Sequence, residues 1–125
     1  MSADMSLAVE TVRFAMSLEA LRAKVAAHNI AMANVPGSKA MRFNGVEPMA
    51  ALRGLRNDPE LFAQAIRSMQ DNELAPYLQR YTPSSPVALD GEVADMSAAS
   101  GRYQALADGV SRQFALMQLA IRGGR

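Results

Sequence analysis

The chain has no cysteine, so disulfides, thiol catalysis and thiolate metal sites are excluded together. It has a single histidine, His28, which excludes a multi-histidine metal site. There is no tryptophan, and aromatic residues make up only 6% of the chain. The formal net charge is +1, and the basic residues are scattered among acids with no stripe of one sign. A nucleic-acid partner is therefore not expected. No apolar run is long enough for a membrane span, because charges interrupt each one. The opening Met1-Ser2-Ala3-Asp4-Met5 lacks the basic segment and apolar stretch of a cleavable secretory signal. No glycine-rich phosphate loop follows a strand pattern. The acids are dispersed, and those at Asp90, Glu92 and Asp95 sit largely where a helix start favours them. No catalytic group, metal site or cofactor is expected from these residues.

What is present is half hydrophobic, dominated by Ala, Leu, Val and Met, which suits helix packing better than a sheet core. The 125 residues allow one small domain. Three zones divide it. In the first, residues 1–34, the stretch from Ser6 to Ala33 contains neither Gly nor Pro. Its Leu7, Phe14, Leu18, Leu21, Val25 and Met32 recur at spacings of three, four and seven, and with Thr11 and His28 complete a heptad seam. The pattern predicts one long helix with an apolar stripe. The second zone, 35–88, holds all six prolines and reads as a partly disordered connection. Inside it, Asp58-Pro59-Glu60 predicts an N-cap with Pro at the first helical position. A short helix follows over about 59–70, with Leu61, Phe62, Ala65, Ile66 and Met69 as its apolar face. Its flanks, above all Tyr81 to Pro86, read as extended linker.

The third zone, 89–125, predicts a second long helix. Asp90 is placed as its N-cap, Arg122 lies in its last turn, and Gly123-Gly124 closes it. Its seam runs Leu89, Val93, Met96, Ser100, Tyr103, Ala107, Val110, Phe114, Met117 and Ile121. The expected fold is therefore all-α: two long terminal helices paired as a coiled-coil-like hairpin across a Pro-rich middle with one short helix. Two such helices would use up their seams on each other. Val9, Val12, Met16, Leu106, Leu116, Leu119 and Ala120 lie off those seams and would face water. Gly101 and Gly109 each cost about 1 kcal/mol in a helix interior, and Ala98-Ala99-Ser100-Gly101 offers a face of little bulk. The combination predicts a helix that is marginal alone and ordered among neighbours.

The segment Asn29 to Ala40 is the most distinctive. Pro36 presets the second position of a turn and Gly37 supplies the positive φ of a type II turn at the third. Asn29 and Asn34 are placed to cap the helix end or bond the turn backbone. This segment resembles the flagellar rod, hook and related axial proteins, whose signature runs Asn-Ile-Ala-Asn, two residues, then Pro-Gly-Tyr-Lys-Ala. Asn29, Ile30, Ala31, Ala33, Pro36, Gly37, Lys39 and Ala40 match it; Met32, Val35 and Ser38 depart from it. The stretches Val87 to Met96, Arg102 to Leu106 and Ala120 to Gly124 are similar to the end of the proximal-rod, FlgB-type proteins, although Ala99 stands where those usually carry Asn. The resemblance implies a self-assembling structural subunit of the basal-body rod, with both terminal helices forming a coiled-coil-like core. It also implies export through the flagellar type III apparatus without a cleaved signal, assembly in the periplasm, and contacts with other rod subunits, the membrane ring and rod-ring adaptor proteins. It implies no enzyme activity and no membrane insertion.

Two other classes fit less of the pattern. A helical coiled-coil adaptor or export chaperone of a type III secretion system would form a stable small dimer. A membrane-active amphipathic helix would want a Lys/Arg-rich polar face, whereas here acids share that face.

Overall fold

The computed structural model describes residues 2–123. Its element order is α1 (Ser2–Met32), β1 (Ala40–Phe43), α2 (Val46–Gly54), α3 (Pro59–Asp71), a 3-10 turn at Ala75–Tyr77, β2 (Leu78–Tyr81) and α4 (Leu89–Gly123). The protein is mostly helical, 74%, with the long first and last helices packed against each other. The expectation of a purely all-α chain is corrected: β1 and β2 form a two-stranded antiparallel sheet. In it Ala40 pairs with Tyr81 and Phe43 with Leu78. Strands of four residues, separated in sequence by two helices, offer too short an alternation to be read from pattern alone.

α1 runs for 31 residues and α4 for 35, about 46 Å and 52 Å at 1.5 Å per residue. α4 extends through Gly123 with Arg122 in its last turn; Gly124, read as part of the closing pair, lies outside the described residues. The helix begins at Leu89, one residue earlier than an N-cap at Asp90 allows, and Asp90 and Glu92 both sit in its first turn. There their charge still meets the positive end of the helix dipole.

The middle is more ordered than its prolines imply. α3 begins as its sequence predicts: Asp58 Oδ1 accepts from the Leu61 backbone N–H at 3.1 Å, and Pro59 occupies the first turn. Phe62, Ala65, Ile66 and Met69 point into the core, but Leu61 is exposed. At 100° per residue, Leu61 stands about a quarter turn off the face the other four share. The helix α2 was not expected. Pro48 is tolerated in it because it lies in the first turn, where its missing N–H has no helical partner to lose.

α3 stops in a Schellman arrangement. The Leu74 N–H reaches Met69 O at 3.0 Å and the Glu73 N–H reaches Gln70 O at 3.0 Å. Glu73 and Leu74 both take the left-handed conformation, φ 52° and 59°. Two side chains accept this strained backbone because the bend drives Leu74 into the core.

That core is Phe14 and Leu18 of α1, Leu52 of α2, Ile66 of α3 and Leu74, with Leu21, Phe43, Phe62, Ala65, Met69 and Tyr77 around it. The α1 seam is therefore taken up by the middle of the chain, and α4 meets an adjacent stripe of α1. Leu52, Ile66 and Leu74 bring branched bulk that the small-residue face of α4 lacks, so they occupy the stripe where burial stabilises most.

Two substitutions test this layout. Ile66 is fully buried, so Ile66→Ala should lower stability by about 2–5 kcal/mol in urea unfolding; a loss below ~1 kcal/mol would place the core elsewhere. Glu73→Gly removes a Cβ from a left-handed position and should raise stability by about 1 kcal/mol in thermal melting. A lowered midpoint would contradict the strain described for the bend.

Candidate assembly surface

After Met32 the chain turns through Pro36 and Gly37. Gly37 has φ 76°, and the Ser38 N–H donates to Val35 O at 3.2 Å, as a type II turn requires. Ser38 Oγ lies 2.8 Å from both Met32 O and Val35 O, so its one proton caps either of two carbonyls at the helix end. This hydroxyl takes a polar role at a position where the axial-protein signature has Tyr. Lys39 contributes its carbonyl, which accepts a hydrogen bond from His28 Nε2 at 3.1 Å. Ile30 is half-buried, and Ala31 is exposed.

Asn29 does more than cap. It is buried, and its side-chain amide pairs with both backbone groups of Met41: Nδ2 donates to Met41 O at 2.9 Å and Oδ1 accepts the Met41 N–H at 2.8 Å. A side-chain amide has the same donor and acceptor as a peptide group, so Asn29 acts as a further rung beside β1. Nδ2 also donates to Glu92 Oε1 of α4 at 3.2 Å. One side chain thus joins α1, the sheet and the start of α4.

From that point α4 runs antiparallel along α1. Arg102 Nε donates to Glu19 Oε2 at 2.7 Å, and Glu19 also faces Arg22 at 3.4 Å within α1. Farther on, Ala8, Val9 and Val12 of α1 and Ala105, Leu106, Gly109, Val110 and Gln113 of α4 line an apolar crevice of about 410 Å3. A second crevice of about 520 Å3 shares Ala8 and Val12 and is walled by Leu7, Arg56, Pro59 and Phe62. The α1–α4 contact is tight at Ala99, which is fully buried, and loosens toward the chain ends.

The residues read as a pairing seam do not form one continuous stripe. Phe14 and Leu18 are buried in the core with Leu21 against them. Val25 is buried, Leu7 half-buried, and Met32 exposed beside the turn. On α4, Met96, Val110 and Met117 are half-buried, whereas Leu89, Val93, Tyr103, Phe114 and Ile121 are exposed. The covered line of α4 passes through Glu92, Met96, Ala99, Leu106, Ala107, Val110 and Met117, of which Ala99 alone is fully buried. It shares Met96, Ala107, Val110 and Met117 with the seam chosen on hydrophobicity and is turned from it by about 40°, less than half of the 100° between successive residues. The rotation brings a small residue and an acid inward, which a search for apolar residues does not find. The last third of α4 is left with Phe114 42%, Leu116 61%, Leu119 62% and Ile121 70% exposed, Phe114 and Ile121 on one side of the helix and Leu116 and Leu119 on the other. Among the described residues, no group of three or more His, Cys, Asp or Glu could hold a metal ion, and no helix is long and apolar enough to cross a membrane.

Asn29→Ala leaves both Met41 backbone groups without their partner. It should cost about 1–3 kcal/mol in chemical denaturation, whereas Glu92→Gln keeps an oxygen acceptor for Nδ2 and should cost less than half as much. Equal losses in the two variants would show that the Met41 pairing is not what anchors the turn.

No protein-family model, curated protein or solved structure matches the chain.

Proposed function

We propose that the chain is a structural subunit of the bacterial flagellar basal-body rod, of the proximal-rod type, which acts by packing its helices and not by catalysis. The observation that carries this reading is the place of the Asn29–Ala40 signature. Its first residue clamps the turn that follows α1, and it does so where the second long helix begins. The signature thus lies where both terminal helices are set relative to each other.

The antiparallel packing of α1 and α4 supports the reading. So does the apolar surface on Phe114, Leu116, Leu119 and Ile121, which one copy of the chain leaves uncovered. On this reading sister subunits and other rod proteins cover that surface, and the stacked helices form a hollow axis that transmits torque. The membrane ring and rod-ring adaptor proteins are the partners at its base. The subunit reaches the periplasm through the flagellar type III export apparatus.

Deletion of the gene in its host is the direct test. The expected outcome is loss of swimming, with basal bodies arrested before the rod; normal swimming refutes the proposal. In solution, light scattering should show size growing with concentration without a fixed endpoint. A small dimer of constant size would instead favour a helical adaptor or export chaperone.

A further inference from the structure

The main hydrophobic cluster contains no residue of α4, although Val25 and Ala26 of α1, buried as well, line a crevice shared with α4. The cluster's five buried residues come from α1, α2, α3 and the bend after α3, and Ala99 is the one buried residue among those of α4. The rest of its contact is half wet: Met96, Leu106, Val110 and Met117 are only partly covered, and a crevice persists beside Val12 and Gly109. Two polar links, Asn29 to Glu92 and Glu19 to Arg102, set its register on α1.

The strap that carries α4, residues 82–88, has no regular structure and contains Pro83 and Pro86. Fully extended, seven residues span about 24 Å. An element with few buried groups, joined by such a strap, opens at a lower free energy than the core it rests on. When it leaves, α1 presents Ala8, Val9, Val12, Glu19, Ala26 and Asn29, a stripe whose complement is α4 of any copy of the chain.

We infer that α4 is an exchangeable arm, which leaves α1 of its own chain and docks in the same register on α1 of a second copy. The exchanged contact repeats the apolar and polar pairs of the closed one, so its enthalpy is unchanged and concentration decides between the two forms. Reciprocal exchange closes a dimer, and one-way exchange continues from copy to copy. The inference rests on the division of the core and holds whether or not the chain builds a rod.

The absence of native cysteine allows a direct experiment. Val12 and Gly109 face each other across the crevice, and a Cβ at Gly109 meets nothing within 4 Å. The single variants Val12→Cys and Gly109→Cys are mixed and treated with a short bismaleimide. Exchange predicts a crosslinked heterodimer whose yield rises with protein concentration. That yield should exceed several-fold the yield from Ser17→Cys mixed with Gly109→Cys, because Ser17 lies on the exposed side of α1. If Val12→Cys lacks the helical circular dichroism of the parent, Ala8→Cys with Gln113→Cys replaces the pair. Hydrogen exchange should also be faster in α4 than around Phe14 and Leu18. A heterodimer yield no higher than the Ser17 control, with the Val12→Cys/Gly109→Cys double variant closing entirely within one chain, overturns the inference. So does equal protection of α4 and the core.

Discussion

The arrangement of this protein turns on one buried amide. Asn29 offers β1 a donor and an acceptor in the spacing of a peptide bond, and Met41 uses both. Without that pairing the first strand would have a partner on one side only, and a two-stranded ribbon of four residues is too short to hold itself together in water. With it the sheet is tied to α1, and the geometry of everything between the strands is referred to that helix. The third bond, to Glu92, extends the same reference to α4. Because the amide has no charge, it can be buried for about the cost of an ordinary hydrogen-bonded group.

A division of labour along α1 follows. One face carries bulky residues and, with Leu52, Ile66 and Leu74, makes the dry interior. The neighbouring face carries Ala8, Val9, Val12, Glu19 and Ala26 and receives α4. Hydrophobic burial thus holds the middle of the chain to the first helix, while close approach at Ala99 and a few charge-assisted bonds position the last helix. Arg22 lies between these regions, stacked over the Phe43 ring with its carbon 5.3 Å from the centroid, and its guanidinium fills the space that a side chain at position 45 would need. Gly45 is accordingly the residue that lets the chain leave β1 and enter α2 without displacing it.

Much of this was legible in the residues. The long uninterrupted stretch before Pro36, the Asp58-Pro59 start of α3 and the Pro36-Gly37 turn each follow from local chemistry, and each is where that chemistry puts it. The sheet was not legible, because its pairing depends on Asn29 and on residues 78–81, far apart in sequence. Nor was the true orientation of the helices. Phe14 and Leu18 fit a coiled-coil seam as well as they fit a globular core, and periodicity cannot say which neighbour covers them. The bend at Glu73 and Leu74 was hidden for a different reason: neither residue type favours a left-handed backbone, so only the packing of Leu74 reveals it. Of the off-seam residues expected to face water, Leu116, Leu119 and Ala120 are exposed, but Val9, Val12, Met16 and Leu106 are half-buried, three of them in the crevice between α1 and α4; and the bond from Asn29 to Glu92 has no signal in the residues beyond the dipole role of that acid.

The pairing of Ala40–Phe43 with Leu78–Tyr81 brings the entrance and exit of the intervening segment side by side. Such a doorway decouples what lies beyond it from the spacing of the outer helices. Extra residues grafted at the exposed joint between α2 and α3, around Arg56 and Asn57, would enlarge the protein sideways and leave the α1–α4 register untouched. The same ground plan can therefore carry a small cap or a large one without disturbing the contact between the two long helices.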